Sequence, residues 1–484
     1  MNVFDTVRYQ ARVRPHAVAL IEPDRVMSYA SVVELVLRFA GGLRRRGIGE
    51  SDVVALQLGN STTTLLLRLA LARLGAVAVN LPLARKGDAL AELVRRFSPK
   101  LLIATDDTPD VPGTALAHAG SWLLEAADAD ELARPDAPGG ERLQYIALTS
   151  GTTGAPKAIG WSHARTLEQL RLQREVRPLG PGVRFLPFMG LEASVAGDWS
   201  MRQLFSGGAV VVVPNVSYET LCDCVDRLGA TQVLTSPGII GRLLARLPAE
   251  GPRFPTLTGL RLAGGLVSPQ MLRVLQRRLT PNLSFDYGSS EVGALAIGDP
   301  ETVALAPQAV GRLVPWVRAE AVGDDGRTLP PGESGVLRFR GTGFPRAYLD
   351  DVHEGSSSFD GDWFRPGDYG YVAPGDLLVV QSRVDDILNV GGVKVMTEEV
   401  ERVIGQHPGV VESAAYAVTG PQGQPLLIAA VVVDGEFDEG SILQHCRHHL
   451  GARAPARLVR LERLPRSAMG KVLRQELVDK TRIS

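Results

Sequence analysis

The sequence predicts an α/β protein. A large N-terminal domain of mostly parallel sheets covered by helices carries a β-rich subdomain, and a small α+β domain follows. Three observations point there. Between Val53 and Asp286 short apolar runs alternate with stretches of helical spacing, the pattern of βαβ units. From about residue 305 to 384 the chain changes to short alternating runs between turn signals such as D-D-G and P-P-G-E. The remainder, 385–484, has a helix–strand pattern of its own and is long enough for a separate small core. The expected domains are therefore 1–384 and 385–484, with the boundary at Asp385.

In order, a short N-terminal helix precedes a helix from Ser31 to Arg46, stopped by Gly47. Val53–Leu58 and Ala76–Leu81 read as strands around a helix at Thr62–Leu74. A helix at Asp88–Phe97 leads to a strand at Lys100–Ala104. The stretch from Asp106 to Arg142, rich in Ala, Asp, Pro and Gly, reads as a surface connection with a short strand near Trp122. Another strand starts at Tyr145, and a helix begins near Ser162. Arg184–Phe188 reads as a strand leading into an irregular segment, M-G-L-E-A-S-V-A-G-D-W. Gly208–Pro214, with four consecutive valines, reads as a buried strand. Strands at Gln232–Thr235, Leu260–Ala263 and Leu283–Asp286 then alternate with helices, the last ending in a turn from Tyr287 to Glu291.

Composition narrows the function. The formal net charge of −1 over 484 residues argues against a nucleic-acid binder working through a broad positive field. Three cysteines, Cys222, Cys224 and Cys446, supply neither a zinc site nor a disulfide framework, and suit a reducing cytoplasm. No signal peptide and no membrane span of about 18 apolar residues is evident. His445, His448 and His449 cluster on one helix without an acidic or thiol partner, and read as a solvated polar face.

The most informative stretch is Y-I-A-L-T-S-G-T-T-G-A-P-K-A-I, Tyr145–Ile159. A strand breaks into hydroxyls and glycines and closes on a lysine. Freed backbone N–H groups, hydroxyls and one mobile ammonium suit a polyphosphate. The spacing of Gly151, Gly154 and Lys157 does not fit a Walker A loop. Four further stretches carry polar groups with two readings each. In Y-G-S-S-E-V-G, Tyr287 can stack on a base and Glu291 can hold Mg²⁺, or the tyrosine is a core anchor beside a turn. In W-F-R-P-G-D-Y-G, Asp368 can accept ribose hydroxyls or cap a turn. S-R-V-D-D around Arg383 can be a surface ion-pair cluster, and the lysine of L-P-R-S-A-M-G-K a solvated charge.

Together, in this order, these stretches resemble the adenylate-forming superfamily of acyl- and aryl-CoA synthetases, peptide-synthetase adenylation domains and firefly luciferase. The resemblance runs from about Ser28 to the C-terminus, and the acyl- and aryl-acid branch is the most similar. It implies ATP-dependent activation of a carboxylic acid to an adenylate with release of pyrophosphate, then transfer to a thiol, with CoA as the leading acceptor. An amine or a carrier-protein thiol is the alternative. It implies Thr149, Ser150, Gly151, Thr152, Thr153, Gly154 and Lys157 as the phosphate loop. Gly264, Gly265, Asp286, Tyr287, Gly288, Ser289 and Ser290 complete a nucleotide site with Asp368 and Arg383. Glu291 is the implied Mg²⁺ ligand, Lys471 the catalytic lysine and Asp385 the hinge of a mobile C-terminal domain. Gly391, Gly392 and Lys394 belong to a loop that serves the second step. Gly190, Glu192, Ser236, Gly238 and Leu295 are candidates for the acid pocket, with Glu192 and Asp198 as possible acids or bases in the second step. Ala158 and Ser382 stand where the family usually has glycine. Met189 and Gly190 leave no imidazole where many CoA-forming members have a gating histidine, and Glu192 stands where amino-acid-activating members have aspartate.

Overall fold

The helix Thr62–Leu74 has no polar face, because it lies between layers: every residue but Thr63 is buried. Ser61 caps its start by accepting from the Thr63 amide, and Gly75 ends it in the left-handed region at φ 72°. It packs against the helices Val3–Val13, Tyr29–Arg45 and Ser194–Ser206 and against the strands Val77–Asn80 and Leu143–Leu148. The computed structural model that shows this describes residues 1–123, 136–149, 156–248, 250–265, 267, 269–349, 358–390, 393–420, 425–466 and 472–482.

Two sheets flank this helical layer. One has six strands in the order Ala115–His118, Leu101–Ala104, Val53–Gln57, Val77–Asn80, Leu143–Leu148 and Ala158–Ser162. All neighbours are parallel except the last pair. The other is a fifteen-stranded sheet. Its parallel part runs Leu283–Ser289, Gly259–Ala263, Gln232–Thr235, Arg184–Pro187, Ala209–Val211 and Val18–Ile21. Beyond Leu283–Ser289 it turns antiparallel through Gly293–Gly298, Ala309–Leu313, Leu377–Arg383, Asp368–Ala373 and Gly335–Gly341, which is the β-rich region expected from the turn signals.

The C-terminal part has a three-stranded sheet, Val410–Thr419, Pro425–Val433 and Arg457–Arg460. Its strands bury both faces, with alternate residues on opposite sides. Ala415, Leu427, Ala429 and Val431 meet the helices Thr397–Ile404 and Glu439–Leu450. Ala414, Tyr416, Ile428 and Ala430 meet Leu477 of the helix Arg474–Arg482.

The structure corrects several expectations. The strand expected near Trp122 lies at Ala115–His118, and Trp122 sits in a 3₁₀ turn with its indole N–H on the His118 carbonyl at 2.8 Å. The Val18–Ile21 and Val26–Ser28 hairpin precedes the second helix, where none was expected. Only Ala209–Val211 of the valine run is paired strand, although Val210–Val213 are all buried. The segment after Phe188 is helical from Ser194 to Ser206. Its glycine, serines and aspartate weaken helix propensity, but packing overrides it. At Gly197 a Cβ would lie 3.0 Å from both Arg68 Nη1 and the Leu191 carbonyl, so only glycine lets the helix approach this closely. The turn expected from Tyr287 to Glu291 is instead strand to Ser289, returning at Gly293.

Among the described residues no helix is long and apolar enough to cross a membrane, and no group of three or more His, Cys, Asp or Glu could hold a metal ion. All three cysteines are free thiols.

Candidate active site

Where the parallel strands end, their loops gather. Ala263 and Asp286 are partners on adjacent parallel strands, so Gly264, where one strand ends, and Tyr287, which continues the other, lie side by side. Gly264 has φ 83°, and Pro237 packs 3.6 Å from the Cβ position of Gly265. A bulge between Tyr287 and Gly288 re-aims the strand. At Gly288 a Cβ would fall 2.2 Å from the Gly293 carbonyl oxygen, which backbone cannot relieve.

The Tyr287 hydroxyl donates to Asp368 Oδ2, and Arg383 Nη1 donates to Asp368 Oδ1 at 2.9 Å. Asp368 and Arg383 are directly paired across antiparallel strands, which fixes this contact. Burial, and then the neighbouring Asp368 carboxylate, hold the Tyr287 hydroxyl well above its ordinary pKa, so it stays a donor. The Tyr287 ring lies 5.9 Å from that of Phe339. Three residues far apart in sequence thus meet as a single polar group at the sheet end.

A second group lies next to it. The strands Leu143–Leu148 and Ala158–Ser162 are antiparallel partners and bracket the hydroxyl-rich loop, whose residues Ser150, Gly151, Thr152, Thr153 and Gly154 lie outside the described residues. At its neck the Thr149 amide donates to the Lys157 carbonyl at 2.9 Å. Lys157 Nζ sits 4.7 Å from the centre of the Tyr348 ring and 3.5 Å from Ser358 Oγ. The Tyr348 hydroxyl donates to Glu291 Oε1 at 2.8 Å. Both Tyr348 and Glu291 are 7% exposed. Arg165 holds the Glu291 carbonyl from behind, and also donates to the carbonyls of Gly343 and Gly160, each at 2.8 Å. Tyr348 therefore joins the loop lysine to the buried carboxylate. It carries no motif of its own, and sequence reasoning missed it along with Arg165.

The turn also reaches the segment after Phe188. Ser290 Oγ and Ser194 Oγ are 2.7 Å apart, which ties the first residue of the Ser194–Ser206 helix to the Tyr287–Glu291 stretch. Gly190 has φ 85° and open space where a side chain would point. Ser236 caps the helix Pro237–Leu243, accepting from the Ile239 amide, so its hydroxyl already has a structural duty. Leu295 is fully buried. Glu192 is exposed and accepts from the Leu83 amide at 3.2 Å; crowding by the chain around it raises its pKa, and that amide opposes the rise.

Two residues are not where the sequence placed them. Asp286 faces away from Tyr287, as alternation along a strand requires. Its carboxylate, 7% exposed, pairs with the buried Arg177 and lies 3.9 Å from Arg261. Asp198 pairs with the buried Arg68 at 3.2 Å and lines an interior cavity. Both aspartates neutralise interior arginines, a role no local motif signals.

Asp385 lies in the short 3₁₀ turn Val384–Asp386, and the Val384 amide donates to the Gly367 carbonyl at 2.8 Å. Ser382 Oγ is 2.7 Å from Glu398 Oε2, a contact that crosses that turn, and Asp386 at its end pairs with Arg474 at 3.5 Å. Lys394 is in the strand Val393–Met396, its side chain undescribed, and Gly391, Gly392 and Lys471 lie outside the described residues.

The residues around Glu291 suit a magnesium ion. One carboxylate oxygen takes the Tyr348 hydroxyl, and the other accepts no hydrogen bond among the described residues. A single buried carboxylate without further protein ligands is how Mg²⁺ is ordinarily held when substrate phosphates and water complete its octahedron.

Residues 7–349 match the AMP-binding enzyme family, and residues 399–471 match the AMP-binding enzyme C-terminal domain. The chain is 26% identical to an indoleacetate–CoA ligase of Aromatoleum aromaticum over 504 residues, covering 99% of this chain and 98% of that one. It is 29% identical to a 2-hydroxy-7-methoxy-5-methyl-1-naphthoate–CoA ligase of Streptomyces carzinostaticus, covering 96% and 91%. It is 27% identical to a 4-chlorobenzoate–CoA ligase of an Arthrobacter species, covering 98% and 94%. Among solved structures, ATP-bound MatB from Rhodopseudomonas palustris superposes with a TM-score of 0.89 at 24% identity, covering 99% of each chain. An o-succinylbenzoate coenzyme A synthetase from Bacillus subtilis, in complex with ATP and magnesium ion, gives 0.87 at 21% identity, covering 98% of each.

Proposed function

The chain belongs to the AMP-binding enzyme family, and from that premise we propose that it is an ATP-dependent, AMP-forming ligase joining an aromatic carboxylic acid to CoA. The observation that carries this reading is the meeting of Tyr287, Asp368 and Arg383 beside the Lys157–Tyr348–Glu291 chain. One group suits a nucleoside and the other suits its phosphates.

The Tyr287 ring borders adenine, and Asp368 turns from its Tyr287 and Arg383 partners to the ribose hydroxyls. Gly264 and Gly265 let the nucleotide and the acyl group pass close to backbone. Lys157 and the loop from Thr149 hold the β- and γ-phosphates, which leave as pyrophosphate. A carboxylate facing a polyphosphate needs cations where charge gathers. Glu291 would hold a Mg²⁺ ion, which would supply part of that charge. The Lys471 ammonium supplies the rest as the acid's oxygen displaces pyrophosphate. The acyl-adenylate is a reactive anhydride and is kept from water until the next step.

The boundary at Asp385 then acts as a hinge. The C-terminal domain rotates, withdraws Lys471 and brings Gly391, Gly392 and Lys394 to line the entry for CoA. The CoA sulfur attacks the acyl carbon and AMP leaves. The aromatic class rests on the three relatives named above. The open space at Gly190, with the small residues Gly264 and Gly265 nearby, suits a flat ring. Those relatives also favour CoA over an amine or a carrier-protein thiol.

The test supplies the purified chain with ATP, Mg²⁺ and a panel of aromatic and aliphatic acids. Acid-dependent pyrophosphate release is measured, then CoA is added and products are weighed by mass spectrometry. Pyrophosphate release with an aromatic acid followed by its CoA thioester is expected. Release with no acid on the panel contradicts ligation, and release without a thioester contradicts CoA as acceptor.

A further inference from the structure

Behind the site, the Ser194–Ser206 helix carries a second constellation. Arg202 is 4% exposed and makes no hydrogen bond with any described residue. Its guanidinium lies 5.3 Å from the centre of the Trp199 ring and 5.9 Å from that of Trp161. Aromatic faces offset part of a cation's charge, but they cannot accept its in-plane N–H groups.

Arg202 opens onto an interior cavity of about 10 Å³, which Arg68, Asp198, Gln144 and Thr166 also line. That volume holds one small species. Arg68 is 2% exposed and gives one nitrogen to Asp198, while its Nε and Nη1 have no partner among the described residues. Gln144 is occupied with Thr166, donating to its hydroxyl at 3.0 Å. The described wall therefore holds two guanidiniums, with unused N–H donors, against the single carboxylate of Asp198, which both of them share. Nearby Arg165 adds no relief, because its N–H groups are spent on three backbone carbonyls.

Arginine does not shed its proton in a protein interior. A water molecule would satisfy N–H groups but leave the surplus charge, and an uncompensated buried charge is costly. A monovalent anion answers both needs at once. We propose that this cavity is a binding site for a single halide-sized anion, chloride in ordinary buffers, held by Arg202 and Arg68. It cements the Ser194–Ser206 helix to the Thr62–Leu74 helix behind the Ser194–Ser290 contact. This site is independent of the ligase reading.

The full chain is dialysed into gluconate buffer and its thermal unfolding followed as chloride or bromide replaces gluconate at constant ionic strength. A saturable rise of a few degrees with either halide is expected, as for one ligand bound only by the folded state. Unfolding that ignores the halide overturns the site. Arg202→Met keeps length and removes the charge, and is expected to unfold at the same temperature in all three salts. A halide response in that variant equal to that of the natural chain also overturns it. Bromide-soaked crystals of the natural chain give a reading that needs no variant. An anomalous peak between Arg68 and Arg202 is expected, and its absence contradicts the proposal.

Discussion

Tyr348 shows what a single residue contributes here. Its ring meets the Lys157 ammonium and its hydroxyl meets the Glu291 carboxylate, so it sets the spacing between the two charged groups. Hydrogen bonds to a charged group are worth about 1.5–3 kcal/mol. Tyr348→Phe is therefore expected to lower kcat/KM for ATP by roughly tenfold or more and to raise the Mg²⁺ concentration for half-maximal pyrophosphate exchange, with little change in melting temperature. Unchanged Mg²⁺ dependence would remove Tyr348 from the site. His163 makes a different prediction. It is fully buried, its Nδ1 accepts from the Val3 amide at 3.2 Å, and burial lowers its pKa from 6.5 to about 4. The folded state refuses a proton that the unfolded chain takes up. Stability from this source is complete above pH 6.5 and is lost as pH falls toward 4, by up to about 3 kcal/mol. His163→Asn keeps an acceptor for Val3, and urea unfolding at several pH values should show a shallower loss than in the natural chain. At this scale motifs drew attention to residues that the fold brings together, as with Tyr287 and Asp368. The sequence misled where identity fitted but direction did not: Asp286 is beside Tyr287 in sequence and on the opposite face of the strand.

At the scale of elements, the bulged strand Leu283–Ser289 and its return strand place the polar groups. Gly288 is the tight point, since a Cβ there would strike the Gly293 carbonyl and the Ala294 Cα. Gly288→Ala is expected to cost pyrophosphate-exchange activity by more than tenfold and to lower the melting temperature by several degrees, on the order of the 1–3 kcal/mol typical of overpacking. A variant that exchanges pyrophosphate normally would show that the turn tolerates movement. The long alternation of strand and helix was readable because apolar period and glycine stops agree over many residues. The Ser194–Ser206 helix was not, because Gly197 makes room for Arg68, a contact that lies far away in sequence. The antiparallel continuation at Gly293–Gly298 was missed for a related reason. Y-G-S-S-E-V-G has turn composition throughout, and only the register with the next strand decides where the turn falls.

At the scale of the whole molecule, the C-terminal sheet buries its own faces, and among the described residues Ser382 meets Glu398 across the turn at Asp385. Such a contact exchanges readily with water, as the proposed rotation would need. Lys471→Ala is expected to abolish pyrophosphate release yet leave thioester formation from a supplied acyl-adenylate largely intact. Equal loss of both steps would contradict the rotation. The change of composition along the chain is what suggests a division near Asp385, whereas the interior arginines and their aspartates come together only in three dimensions. The central claim is that the acid's own oxygen attacks the α-phosphate. An aromatic acid labelled with oxygen-18 in both carboxylate positions, incubated with the chain, ATP, Mg²⁺ and CoA, tests it most directly. One label is expected in AMP and the other in the thioester carbonyl. Label in inorganic phosphate, or none in AMP, would contradict it.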